Sequence, residues 1–180
     1  LGHYIRMARK NLGNGQEEFF LDATQAVLAC SMSRMADHMN AGCTWNPSGP
    51  KLQHLFGRQA LPMVWDFCEA NPFGDSVGDW MSALECGQIA LGNAMFGVGS
   101  GTVEQSSATA HPLPNDACRA FITDPPYYDA VPYSDLSDFF YVWLKRVLPD
   151  GCNKPFAGSL TPKQEQIVVD HPNSGLERDR

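Results

Sequence analysis

Two consecutive prolines, Pro125 and Pro126, stand between the apolar run Phe121-Ile122-Thr123-Asp124 and the aromatic Tyr127, and they constrain this chain more than any other feature. Proline fixes φ and has no N–H, so a β-prone run must end there, and the loop that follows is stiff, with carbonyls free to accept hydrogen bonds. Upstream, Thr102-Val103-Glu104-Gln105-Ser106 and Cys118 to Thr123 read as two short strands separated by a proline-rich turn from His111 to Asp116. Helical spacing dominates elsewhere. The combination predicts an α/β protein, a class in which chemistry collects where strands end and loops begin, the position that Asp124 occupies.

The helical readings are these. From Gln16 to Met39, Phe19, Phe20, Ala23, Ala26, Val27, Cys30 and Met35 recur every three or four residues behind Gly13 and Gly15. A polar turn region, Asn40 to Gly57, reads as a surface loop. Gln59 to Ala70 suggests a short helix closed by Asn71-Pro72, and Val77 to about Met95 a longer one capped by Asp75 or Ser76 and stopped by the run Gly97 to Gly101. Pro132 to Leu148 places Leu136, Phe139, Phe140, Trp143, Leu144 and Val147 on one side and Asp135, Asp138 and Lys145 on the other. The organisation expected is a helical segment over 1–100, an insert or partner-contact region, then a catalytic part over 101–172 and a disordered tail over 173–180.

Charge and cysteine usage exclude some functions. A formal charge of -7 disfavours a general duplex-binding surface, since non-specific affinity comes from neutralising phosphates. The cysteines Cys30, Cys43, Cys68, Cys86, Cys118 and Cys152 form no C-x-x-C pair, so no metal site is expected, and their apolar neighbours suggest buried, reduced thiols. His3, His38, His54, His111 and His171 look isolated and surface-exposed, and Arg6, Arg9 and Lys10 look like a solvated basic terminus. No membrane span or signal peptide is visible, and a soluble, cytoplasmic protein is expected. Hydrolase and phosphoryl-transfer motifs are missing from the sequence.

The loop itself suggests a reaction. The Asp124 carboxylate and the Pro125 carbonyl are two acceptors that the prolines hold at a fixed separation. An exocyclic amine, such as adenine N6 or cytosine N4, is a weak nucleophile until both hydrogens are held; two rigid acceptors favour a tetrahedral nitrogen and aim its lone pair at a methyl donor. Tyr127 offers a face on which a flipped base can stack, or on which a sulfonium can rest. The competing reading is a plain strand-end turn. Tyr128 and Asp129 follow closely and fit the lining of a base pocket, while Ser134 or Asp135 can cap the next helix. Phe139, Phe140, Tyr141 and Trp143 read as helix packing.

The stretch from Thr123 through Asp124-Pro125-Pro126-Tyr127-Tyr128-Asp129 to Leu144 resembles the adenine-specific DNA methylases that carry a zinc-ribbon insert. Arg58 to Phe67, and Leu160-Thr161-Pro162-Lys163 leading to Ile167-Val168, are similar to the same family. The resemblance implies a Rossmann-like methyltransferase fold of which this chain is the C-terminal portion. It also implies S-adenosylmethionine as cofactor and the N6 amine of a flipped adenine in DNA as acceptor, with Asp124, Pro125, Pro126 and Tyr127 as the catalytic motif. Where the family commonly has an acidic residue near the cofactor, this sequence has Ser106-Ser107-Ala108, so Ser107 joins Asp124 as a cofactor contact. Phe96 to Gly101 looks like a cofactor loop but lies too near Asp124 for the intervening βα units. The cofactor loop and the zinc-ribbon cysteines are then expected upstream of Leu1. The alternatives are an RNA base or a protein glutamine amide as acceptor, or a catalytically silent fragment acting as an interaction module.

Overall fold

The computed structural model describes residues 2–12, 17–94, 101–104, 106–107, 110, 112–127, 131–152 and 154–164. Among the described residues four helices carry the architecture: α1 Gly2–Leu12, α2 Glu18–His38, α3 Trp80–Ala94 and α4 Tyr133–Leu144. A two-stranded antiparallel hairpin, β1 Trp45–Asn46 and β2 Lys51–Leu52, follows α2, and two 3-10 turns, Asp150–Cys152 and Lys154–Phe156, follow α4.

α2 is the hub, packed against α1, α3 and α4. Its buried positions, Leu21, Gln25, Ala29, Met32 and Met35, recur every three or four residues, the spacing of one helix face. Phe19 and Phe20, apolar in the sequence pattern, lie off that face and are exposed. The core joins Ile5 of α1, Ala29 and Met32 of α2, and Val147 just beyond α4, with Leu28, Trp80, Leu144 and Leu148 packed around them. The Gln25 amide donates to the Val147 carbonyl at 2.6 Å and accepts from Arg9 at 3.1 Å, so the polar group inside this core is satisfied.

The N-terminal basic cluster is thus not a solvated arm. It forms α1, with Ile5 buried, Arg9 paired with Glu18 and at 2.5 Å with Asp22, and Arg6 donating to the Arg146 carbonyl. The contact between α2 and α3 uses small residues: a Cβ on Gly87 would stand 3.0 Å from Ser31 Oγ, and Ala83 is buried.

The helix over 77–95 begins three residues later than its pattern suggests, because Asp79 is the cap. Its Oδ1 accepts from the Ser82 N–H at 2.8 Å while the Ser82 hydroxyl donates to the Asp79 carbonyl at 3.0 Å. The Ser82 N–H on its Oδ1 is the main influence that holds the Asp79 carboxyl below its ordinary range against the opposing effect of burial.

Residues 59–70 form no helix. Pro62 removes a backbone donor, and no element among the described residues covers the apolar side chains: Leu61, Met63 and Trp65 are 66%, 86% and 92% exposed. Amphipathic spacing without a packing partner does not hold a short helix in water. The described residues of the two expected strands, 102–104 and 118–123, likewise join no ladder, and the sheet found among the described residues is the β1–β2 hairpin. All six cysteines are free, but only Cys43 is fully buried; Cys30, Cys118 and Cys152 are exposed, contrary to the expectation of buried thiols. No helix among the described residues is long and apolar enough to cross a membrane.

Candidate functional site

Asp124, Pro125, Pro126 and Tyr127 lie in an irregular segment that leads toward α4. Asp124 and Pro125 are exposed, Pro126 is half-buried, and the Tyr127 ring is 65% exposed. The carboxylate is therefore not turned into the core. Before the motif, Phe121 and Ile122 are 70% and 94% exposed, so the segment presents a strip of apolar and aromatic surface to solvent. A shallow cleft bounded by Leu113, Pro114, Asp116, Cys118 and Phe121 adjoins it. Asp116 takes a positive φ of 62°, and the Ala117 N–H returns to the Pro114 carbonyl at 3.3 Å, which closes the proline-rich turn. Ser107 is exposed, its carbonyl accepting from the Ala110 N–H at 3.1 Å. Tyr128 and Asp129 lie outside the described residues.

The helix that follows in sequence, α4, is well anchored. The Tyr133 N–H donates to the Val131 carbonyl and the Leu136 N–H to the Pro132 carbonyl, starting α4 without a side-chain cap. Asp138 then ties α4 to the segment 160–163: it accepts from the Thr161 N–H at 2.9 Å, from the Thr161 hydroxyl at 2.6 Å and from Lys163 at 2.5 Å. Lys163 also reaches Asp135 at 2.9 Å. Burial opposes the charge on Asp138, yet the hydrogen bonds from Lys163 and Thr161 outweigh it and hold its carboxyl below the ordinary range. Burial likewise opposes the charge on Lys163, but Asp138 and Asp135 hold its ammonium above the ordinary lysine value. Tyr141, the buried aromatic of α4, donates to the Gly158 carbonyl at 3.0 Å and packs on Phe156. Trp143 is instead 44% exposed beside the Arg146 guanidinium. Thus Tyr133 to Leu144 and Leu160 to Lys163, distant in sequence, meet in space.

A second cluster escaped the sequence reading. His38, expected at the surface, is 4% exposed, and its ring lies 4.2 Å from that of His54. His54 Nδ1 is 2.6 Å from Asp37 Oδ2, so neither histidine is isolated. The loop over 40–57 achieves this by folding back on the end of α2: the Leu55 N–H and the Cys43 thiol both converge on the Asp37 carbonyl, at 2.8 and 3.3 Å. Asn40 bonds the Ala36 carbonyl, and Asn46 accepts from Ser48 and Gly49 to turn the hairpin. Gly78, at φ 87°, lies against the imidazole, where a Cβ would stand 2.5 Å from that of His38. The adjacent Asp37-His38 pair at a helix end, followed by a turn-rich loop returning to a histidine, was the available signal.

Compared with protein families, with curated proteins and with solved structures, the chain matches none.

Proposed function

We propose that this chain supplies the base-binding half of a Rossmann-like, S-adenosylmethionine-dependent methyltransferase acting on the N6 amine of adenine in DNA. The observation that carries the reading is the accessibility of the Asp124-Pro125-Pro126-Tyr127 strip: a carboxylate, a proline-fixed carbonyl and an aromatic face are all open to a ligand arriving from solvent. These residues fit the chemistry of a planar amine beside a sulfonium. Asp124 and the Pro125 carbonyl accept its two hydrogens, and Tyr127 stacks the ring, a contact worth about 1–3 kcal/mol per base. The cofactor, when bound, supplies an electrophilic methyl group; Asp124 and Ser107 are the residues of this chain that would meet it.

Two further features favour the reading. The β-prone runs 102–104 and 118–123 stand without a ladder, and backbone donors and acceptors of such runs are ordinarily paired in a sheet. Phe121, Ile122, Met63 and Trp65 expose apolar area that a larger domain would cover. The reading accordingly assigns the parallel sheet and the glycine-rich cofactor loop to protein outside the described residues.

The test is single-turnover transfer of a labelled methyl group to adenine-containing DNA by the intact enzyme, with RNA and a glutamine peptide as competing acceptors. Asp124→Ala is expected to lower the rate by about 100-fold or more, the loss typical of removing one preorganised polar group, with cofactor affinity nearly unchanged. Undiminished transfer by this variant overturns the proposal.

A further inference from the structure

The cluster at the end of α2 has the composition of a metal site, and nothing in the methyltransferase reading uses it. One ligand atom from each of Asp37, His38 and His54, ring nitrogens and a carboxylate oxygen, lies within 4.8 Å of the others. Ligand atoms around a four-coordinate zinc ion, each about 2.0–2.2 Å from the metal, sit roughly 3.3 Å apart, so closure needs shifts of an ångström or so rather than refolding. His38 Nδ1 faces the Arg34 carbonyl at 3.3 Å, and a carbonyl can only accept, so Nδ1 carries the proton and Nε2 keeps its lone pair. A backbone carbonyl on the far nitrogen is the usual outer partner of a metal-binding histidine.

The surroundings favour a cation for three reasons. The cluster stands at the C-terminal end of the 21-residue α2, where the aligned peptide dipoles leave partial negative charge. Asp37 adds a full one. His54 also lines an open cleft of about 750 Å³ with Trp45, Leu55, Arg58 and Pro62, which leaves a coordination position reachable by water or a small ligand.

The neighbouring thiol does not compete. Cys43 is fully buried and its thiol is directed at the Asp37 backbone carbonyl, at 3.3 Å, which engages it away from the three ligand atoms.

From this geometry we infer that Asp37, His38 and His54 bind one divalent transition-metal ion of the zinc class. The ion takes the place of the proton shared by His54 and Asp37, which passes to the ring's other nitrogen or to water. Binding pins the 40–57 loop to the end of α2.

The experiment is calorimetric titration of the chelator-treated full chain with Zn2+, paired with the absorption spectrum after Co2+ addition. One equivalent is expected to bind, and the cobalt spectrum is expected to show ligand-field bands without thiolate charge transfer. His54→Ala removes an exposed side chain, so folding is retained, and should weaken binding about tenfold or more; Asp37→Asn should do the same, and Cys43→Ser should leave the affinity unchanged. No stoichiometric binding, meaning a hydrogen-bonded His–Asp pair only, overturns the inference. So does unchanged affinity in His54→Ala, or thiolate bands in the cobalt spectrum. Methyl-transfer activity enters none of these readouts, so this inference and the proposed function fail separately.

Discussion

The helical hub and the runs 102–104 and 118–123 both carry large apolar side chains, yet those side chains end in opposite states. In the hub, Ile5, Ala29, Met32 and Val147 from separate elements close on one another, and each is at most 6% exposed. In the strip, Val103, Phe121 and Ile122 are 70% exposed or more, and no strand forms among the described residues. Beyond its lower apolar content, the strip lacks a partner among the described residues: a helix satisfies its own backbone and needs only a facing surface, whereas a strand needs a second strand before it can exist.

The largest effect that would break this contrast is at its centre. Met32→Ala is expected to lower stability by about 2–5 kcal/mol in urea unfolding, while Ile122→Ala, in the exposed strip, should fall within about 0.5 kcal/mol. Equal effects would mean that the exposed apolar segment is packed in solution.

The next concerns the edge of the hub, where Asp138 joins α4 to Thr161 and Lys163. Asp138→Asn should cost about 1 kcal/mol at neutral pH, a discounted value for a partly exposed charge-assisted network. Because the folded-state carboxyl is held below its ordinary value, the unfolded chain binds the proton more tightly. The contribution is then complete above about pH 4, where the unfolded carboxylate ionises, and is lost as the pH falls through the lower folded value. Urea midpoints of the two proteins should converge in that acid range; a gap that persists would place the effect outside Asp138 ionisation.

The smallest concerns local order within the hub. Asp79→Ala removes the side-chain acceptor of the Ser82 N–H and should fray the first turn of α3, read as faster amide exchange at Ser82 with the rest of α2 and α3 unchanged.

The same contrast explains what could be read from the sequence. α2, α3 and α4 were legible within a few residues because their apolar spacing records a face that packs within the chain. Gln59 to Ala70 carries similar residues, but Pro62 and the absence of any facing element leave it irregular. α1 was missed because its pattern holds one buried residue, Ile5, among charged groups of which Arg9 pairs with α2. At the candidate site, the proline-locked motif could be read from local chemistry alone, since φ restriction is a property of the residue. The meeting of Asp37, His38 and His54 could not, because it depends on where a loop of polar turns returns. Asp79 was passed over as the α3 cap because Asp75 and Ser76 precede it in sequence and satisfy the same residue preference.

The Gln25 amide that donates to Val147 spans 122 positions of chain. α1 and α2 can coil early, but the core they share with Val147 stays incomplete until the segment beyond α4 has been synthesised. Folding of this chain is therefore late and closes on its C-terminal side, and nascent chains that end before Val147 should be readily cleaved by protease.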